Sequence, residues 1–228
     1  QIYATANKRD QAKIVFTMVK SQLKALRGKS KAIQKFTKVL QNELTTTDDS
    51  FMKPLSADAD TLDGLDTLLG IFDEYALSKT TEMMDVIETS MGQQIEPLTI
   101  IISTASSKLN YPMYSIEYQY VTKLLKEEVV GDEYLALCWE QDNAKEVADT
   151  DMWIKSNPLM ELSEQKERLT ESKKRLLDEG KAKGSISNVL TKEFNIWVQS
   201  SQESYMSEEE WTSAVAPDYI KQTDLTGR

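Results

Sequence analysis

The chain is expected to be an α/β protein, a mostly parallel sheet with a helical subdomain at its C-terminal end. Three observations predict this. Continuous apolar runs at 68–72, 98–102 and 134–139 suit strands buried on both faces. Segments with helical spacing lie between these runs, which is the rhythm of βαβ units. From Asp151 onward the composition turns charged and helical. The expected division is therefore a sheet core over 1–150, a helical subdomain over 151–206 and a connecting segment over 207–228.

Composition narrows the chemistry. The 228 residues are 40% hydrophobic and 28% charged, as in an ordinary globular protein. The chain contains no His, which removes His-based metal sites and Ser-His-Asp or Cys-His catalysis. Cys138 is the single cysteine, so no internal disulfide framework can form, and a reducing compartment is expected. No apolar run approaches the roughly 20 residues of a membrane span, and no signal peptide opens the chain, so neither membrane insertion nor secretion is expected. The net charge of −10 argues against a wholly basic nucleic-acid coat but leaves room for a local grip. Gln1 leads almost directly into a strand, as in a chain that begins within a domain.

Taken in order, residues 2–6 are a short strand, and 7–10 are a turn opening a helix. Ala12, Val15, Val19, Leu23 and Leu26 give that helix an apolar face, with Gly28 as its stop. Lys13, Lys20, Lys24, Arg27, Lys29 and Lys31 interleave as a solvated face, with phosphate or DNA contact as the alternative. Residues 35–44 and 51–55 are expected as two strands around a polar turn, and 57–66 as an acidic loop. The stretch LLGIFDE (68–74) follows, an apolar run ending in two adjacent carboxylates. Residues 81–91 form a helix whose stripe of Met83, Val86, Ile87, Ser90 and Met91 is core packing. LTIII (98–102) is the next strand and runs into Ser103-Thr104-Ala105-Ser106. Residues 114–129 are a helix with Ile116, Tyr120, Val121 and Leu124 inward, and 134–139 are a further buried strand. In the tail, helices are expected at 151–156, 163–180 and 187–200. A capping box at 207–211 opens one more, which Pro217 stops.

Two apolar strands with polar tips, Asp73-Glu74 on one and Ser103-Thr104 on the other, carry the chemistry. Open α/β sheets bind ligands beyond the carboxyl ends of their strands. In nucleotide hydrolases the first acid holds Mg²⁺ and the second orients the attacking water. A hydroxyl on a neighbouring strand can donate to a phosphate oxygen and relax once that partner leaves. The alternative for each tip is plain: a buried strand running into a polar surface turn.

With YATANKRDQAKIVF at its start, LSADADTLDGLDTLLGIFDEYA around the acid pair and PLTIIISTASS at the next strand, the chain resembles the large terminase subunit of tailed bacteriophages. WIKSNPLM and FNIWVQ in the tail also resemble that family. The resemblance implies a RecA-like P-loop NTPase sheet of the extra-strand, catalytic-glutamate type. It implies Asp73 as the Walker B aspartate and metal ligand, Glu74 as the catalytic glutamate and 103–105 as the coupling segment, with Ser103 and Thr104 near the nucleotide. The family's usual final Gly of that segment is Ser106 here, and a His common after the catalytic acid is replaced by Tyr75-Ala76-Leu77. Arg9, just past the first strand, is a candidate for the arginine that reaches a neighbouring subunit's nucleotide, with a helix-start role as the equal alternative.

The implied cofactors are ATP and Mg²⁺. The implied partners are double-stranded DNA, a homo-oligomeric ring, the portal protein and the small terminase subunit, in the host cytoplasm where capsids assemble. No G-x-x-x-x-G-K-[ST] loop occurs in these residues. Relatives carry one just upstream of the strand that opens this chain, and a nuclease domain downstream of about where it ends. The expectation is therefore an internal segment of a DNA-packaging motor, lacking P-loop and nuclease and inactive by itself. Two alternatives stand beside it: a helicase-like ATPase, which would need a second RecA-like lobe, and an inactive scaffold acting through partner chains.

Overall fold

The computed structural model describes residues 1–7, 9–56 and 64–199. The expected acidic loop falls mostly, and the capping box and final connection wholly, outside the described residues. Strands β1 (Ile2–Ala6), β2 (Thr37–Val39), β3 (Leu44–Thr46), β4 (Phe51–Ser56), β5 (Leu69–Asp73) and β6 (Leu98–Ile102) form one sheet in the order β2-β3-β4-β1-β5-β6. The β4-β1-β5-β6 part is parallel, and β2 and β3 add an antiparallel edge. The α/β class expected from the apolar runs is the class observed.

Alternation along the strands divides the core between two faces. Ala4, Leu44 and Met52 face helix α1 (Arg9–Lys29), with Phe16 the buried anchor of that helix. Tyr3 and Phe72 point the other way, onto Met84, Ile87 and Met91 of the segment holding helix α3 (Glu82–Thr89). Met84 and Ile87 are therefore the buried pair of that helix, while Met83 packs only at the margin of the cluster.

Gly70 explains the small residue inside the apolar run. A Cβ built there would lie 2.7 Å from Ile87 Cγ2 and 3.4 Å from Met91 Cε, so helix α3 rides directly on the backbone of β5. Ile87 is fully buried and β-branched, which leaves it little freedom to yield.

Several expected elements come out differently. Residues 35–44 are not one strand. Ser30 accepts from the Ile33 amide and caps a short helix α2 (Lys31–Phe36), so the chain turns helical before β2 begins. The Arg27 guanidinium reaches the carbonyls of Gln34 and Thr37 and seats that turn against α1. Gly28 does not stop α1, which runs through it to Lys29. Strand β6 is not buried on both faces. Leu98 and Ile102 are more than half exposed, and no strand among the described residues pairs its outer edge. Residues 134–139 do not join the sheet either; exposure alternates along them, with Leu135, Leu137 and Trp139 outward and no ladder to satisfy their backbone. The helix expected at 114–129 is a π-helical turn, Met113–Tyr118, continued by helix α4 (Gln119–Leu125), with Ile116 outward.

The C-terminal part has a hydrophobic cluster of its own, and that cluster takes in Val147, ahead of the expected boundary at 151. Three 3₁₀ turns (Ala144–Ala148, Thr150–Lys155, Pro158–Glu161) precede helices α5 (Ser163–Ala182) and α6 (Ile186–Phe194). Val147, Trp153, Met160, Leu177 and Phe194 pack together, and the Trp153 indole N–H donates to the Val147 carbonyl at 3.0 Å. The helix expected at 187–200 ends early, because Asn195 adopts the left-handed conformation (φ 52°) that closes α6. Trp197 then lies outside the helix, against Tyr114 and Tyr118.

Gly70→Val should destabilise the fold by about 1–3 kcal/mol through overpacking against Ile87. Gly28→Ala, where an added Cβ meets nothing within 4 Å inside a helix, should be neutral or stabilise by about 0.5–1 kcal/mol. Urea unfolding of both variants checks the contrast; equal midpoints would remove the close approach as the reason for Gly70. A second expectation concerns Cys138. Burial first, then the nearby Glu140 carboxylate, pushes its thiol up to about 11. Only the thiolate alkylates, so at pH 8 iodoacetamide should react about a hundredfold more slowly than with an ordinary thiol. The rate should climb with pH toward 11 and recover in denaturant. Fast alkylation of the folded protein at pH 8 would contradict that burial.

Candidate functional site

Strand register builds the site. Ala6 of β1 and Ile102 of β6 both pair with Asp73 of β5, so three parallel strands end level with one another. The residues just beyond that line are Glu74 after β5 and Ser103-Thr104 after β6, while α1 opens at Arg9 just past β1. The four candidate positions 73, 74, 103 and 104 thus converge at the carboxyl edge of the sheet, where α/β folds bind ligands. Arg9 belongs to the same edge by its backbone, and its side chain lies outside the described residues.

Glu74 has an unusual backbone. Its φ of 54° and ψ of 42° are left-handed, an uncommon and mildly strained state for a residue with a Cβ. The bend sends the chain into a 3₁₀ turn, Tyr75–Leu77, whose Tyr75 and Ala76 are buried. Tyr75 stacks edge-on against Phe72 at 5.8 Å, so the core beneath the sheet clamps the residue that follows the acid. Burial, with Glu117 nearby, pushes the Tyr75 phenol well above its ordinary range, and it remains a neutral packing group. The Ser103 hydroxyl accepts from the Ala76 amide at 2.9 Å and donates to the Thr104 carbonyl at 3.1 Å. Ser103 therefore ties the tip of β6 to the turn after Glu74. Its observed contacts are to backbone.

Thr104 is placed differently. Its hydroxyl accepts from the Lys192 ammonium at 3.1 Å, and the same ammonium lies 3.7 Å from Glu74 Oε2. Glu74 Oε2 is itself buried and has no hydrogen-bond partner among the described residues. One residue on, the Ala105 amide donates to the Asn195 side-chain carbonyl at 2.6 Å, and the Asn195 amide group donates to the Trp139 carbonyl at 2.9 Å. Lys192 and Asn195, both from the end of α6, are contacts that strand patterns in the sequence do not announce. The Asn at a helix end is their one local sign, because Asn tolerates the left-handed state. Asp73 has no side-chain partner among the described residues and is partly open to solvent. No group of three or more acidic, Cys or His side chains among the described residues is placed to enclose a metal ion. No described helix is long and apolar enough to cross a membrane.

Comparison with known proteins gives the family. Residues 1–123 match the family model for the terminase large subunit, ATPase domain, and residues 128–228 match that for the terminase large subunit, endonuclease domain. Protein YmfN of Escherichia coli (strain K12) is 28% identical over 152 residues, covering 66% of this chain and 32% of YmfN. The crystal structure of the HK97 bacteriophage large terminase superposes with a TM-score of 0.66 at 20% identity, covering 86% of this chain and 40% of that one. The chain thus spans about a third of YmfN and two fifths of the HK97 protein. The structural likeness speaks for the fold, a RecA-like sheet with helices on both faces. The two family matches meet between 123 and 128, whereas the sequence reading divides the chain at 150 and expects it to stop short of a nuclease. The endonuclease match covers that tail, whose described part, 128–199, is helical and irregular, with no strand. With the ATPase-domain match covering more than half of the 228 residues, over a sheet of that fold, the chain belongs to the terminase large subunit family.

Proposed function

We propose that this chain is the ATP-hydrolysing motor segment of a terminase that packages double-stranded DNA into capsids. The observation that carries the reading is the level ending of β1, β5 and β6, which gathers Asp73, Glu74, Ser103 and Thr104 at one edge. The residues fit Mg-ATP in two respects. Asp73 offers a carboxylate at the strand end with no competing partner among the described residues, and Mg²⁺ needs only one or two carboxylates when phosphates and water complete its shell. Glu74 carries a buried carboxylate oxygen without a hydrogen-bond donor, the kind of group a positioned water would satisfy.

In this reading Asp73 would hold a Mg²⁺ ion, whose charge would offset that developing on the phosphates. Glu74 orients the water that attacks the γ-phosphorus and takes up its proton, while the bond from the bridging oxygen to the γ-phosphorus breaks and ADP leaves with inorganic phosphate as the other product. Thr104 exchanges its hydroxyl between Lys192 and a phosphate oxygen, and Ser103 carries that change by backbone contacts to the turn after Glu74. Arg9 is proposed for a neighbouring subunit's nucleotide in a homo-oligomeric ring. Portal protein, small terminase subunit and the host cytoplasm complete the proposal by family likeness. A phosphate-cradling loop must come from outside these 228 residues, so the segment alone is proposed to be inactive.

Glu74→Gln in the full-length protein should lower ATP turnover by about 10² to 10⁴ while leaving nucleotide affinity nearly unchanged, because the amide keeps the shape and loses the charge. Retained turnover would remove Glu74 from the chemistry and favour the reading of a scaffold that acts through partner chains. Thr104→Ala should impair DNA packaging more than ATP binding. Equal losses, measured side by side in a packaging assay and by equilibrium binding, would return Thr104 to a plain structural role.

A further inference from the structure

The last turn of α6 is fastened more firmly than a helix end of nine residues requires. The Glu193 carbonyl accepts from the Lys173 ammonium at 3.1 Å and from the Asn157 side-chain amide at 3.0 Å. Lys173 is almost fully buried, pairs with the Glu193 carboxylate at 2.8 Å and lies over the Phe194 ring at 5.4 Å. Orphan carbonyls at helix ends are commonly left to water. Here they are locked to α5 and to the 3₁₀ turns of the helical subdomain. On either side of this locked point, Lys192 and Asn195 leave the subdomain and touch the catalytic edge of the sheet.

The Glu74 carboxylate needs something to hold it there. Its buried oxygen has no hydrogen bond from the described residues, and a carboxylate in that condition turns toward water unless a charge retains it. Among the described residues, the cation within ion-pair reach is Lys192, which also holds the Thr104 hydroxyl. The Lys192 side chain is about half exposed, so it contributes little to the core, and its two site contacts are its distinguishing feature. Asn195 fixes the distance between this lysine and the sheet by bridging the Ala105 amide and the Trp139 carbonyl.

We propose that Lys192 is a positioning residue for the hydrolytic step. It holds Glu74 toward Thr104, and the locked end of α6 makes that position depend on where the helical subdomain sits. The inference rests on the reading of Glu74 as the carboxylate that orients water. A displacement of the subdomain would pull Lys192 off Glu74 and Asn195 off Ala105 together, linking the subdomain to the rate of hydrolysis without any contact to nucleotide.

The test uses the full-length protein with ATP concentration varied for wild type, Lys192→Met, Lys192→Arg and Glu74→Gln. Lys192→Met keeps length and removes charge. It should lower kcat about tenfold, leave KM within about twofold and leave Tm unchanged, a rate loss of the size expected from misorienting one group. Lys192→Arg should restore most of kcat. Unchanged kcat in Lys192→Met, or a fall matched by losses in Tm and KM that Arg does not rescue, would overturn the positioning role. Glu74→Gln separates the two ideas, since turnover surviving that change fails the site reading whatever Lys192 does. In a preparation without measurable turnover, hydrogen exchange decides: Lys192→Met should speed exchange in 74–77 and 103–106 while α5 and α6 stay protected. Identical exchange in those segments would sink the proposal.

Discussion

Everything at the carboxyl edge of the sheet depends on the parallel register that sets Ala6, Asp73 and Ile102 level. Side chains on a strand alternate faces with a period of two, so a slip of one residue in β5 would exchange Phe72 with its neighbours. The two acids would then leave the line that Ser103 and Thr104 share. The register is held from both sides: Thr5 donates from its hydroxyl to the Ile71 carbonyl at 3.1 Å, while Ile87 presses on Gly70. A larger residue at 70 would lift helix α3 from the strand. A core contact on one face thus fixes where two carboxylates emerge at the end.

The left-handed backbone of Glu74 is the price of that placement, and its compensation is local. Tyr75 and Ala76 are buried at once, and Ser103 takes the Ala76 amide. Packing below and a cross-strand hydrogen bond above overdetermine a conformation that the isolated chain would rarely adopt. Because the same serine belongs to the β6 tip, a change at Thr104 reaches the Glu74 turn through only backbone and one hydroxyl. That route is short: the 103–104 backbone and the Ser103 hydroxyl bonded to the Ala76 amide.

Apolar continuity and helical spacing made β1, α1, β5, α3, β6 and α5 legible before any coordinates, and the pairing of acid and hydroxyl tips followed from them. The failures share a physical cause. A run such as 134–139 carries the apolar content of a strand, but a strand exists only when another backbone pairs with it, and no described neighbour does. The strand expected over 35–44 holds only at β2 and the start of β3, because the Ser30 cap draws 35–36 into α2 and the chain turns between 39 and 44. Lys192 and Asn195 were invisible for a third reason. They lie 88 and 90 residues from their partners at Thr104 and Ala105, and no period or motif encodes a contact of that span.

The helical subdomain is best understood through these two contacts. Its hydrophobic cluster is separate from the two that flank the sheet, so it can hold its own shape without the sheet's packing. Two bodies with separate cores move relative to one another unless their interface is large and apolar. Around the site, among the described residues, α6 and its cap reach the sheet edge through a lysine and an asparagine, Lys192 by one hydrogen bond and one ion pair and Asn195 by two hydrogen bonds. Such links break and reform at small cost, about 0.5–1.5 kcal/mol for an ordinary hydrogen bond. On the proposed role of Glu74, helices fastened to that carboxylate by weak polar contacts would respond to what happens at the sheet edge and act back on it, because linkage between two sites is reciprocal.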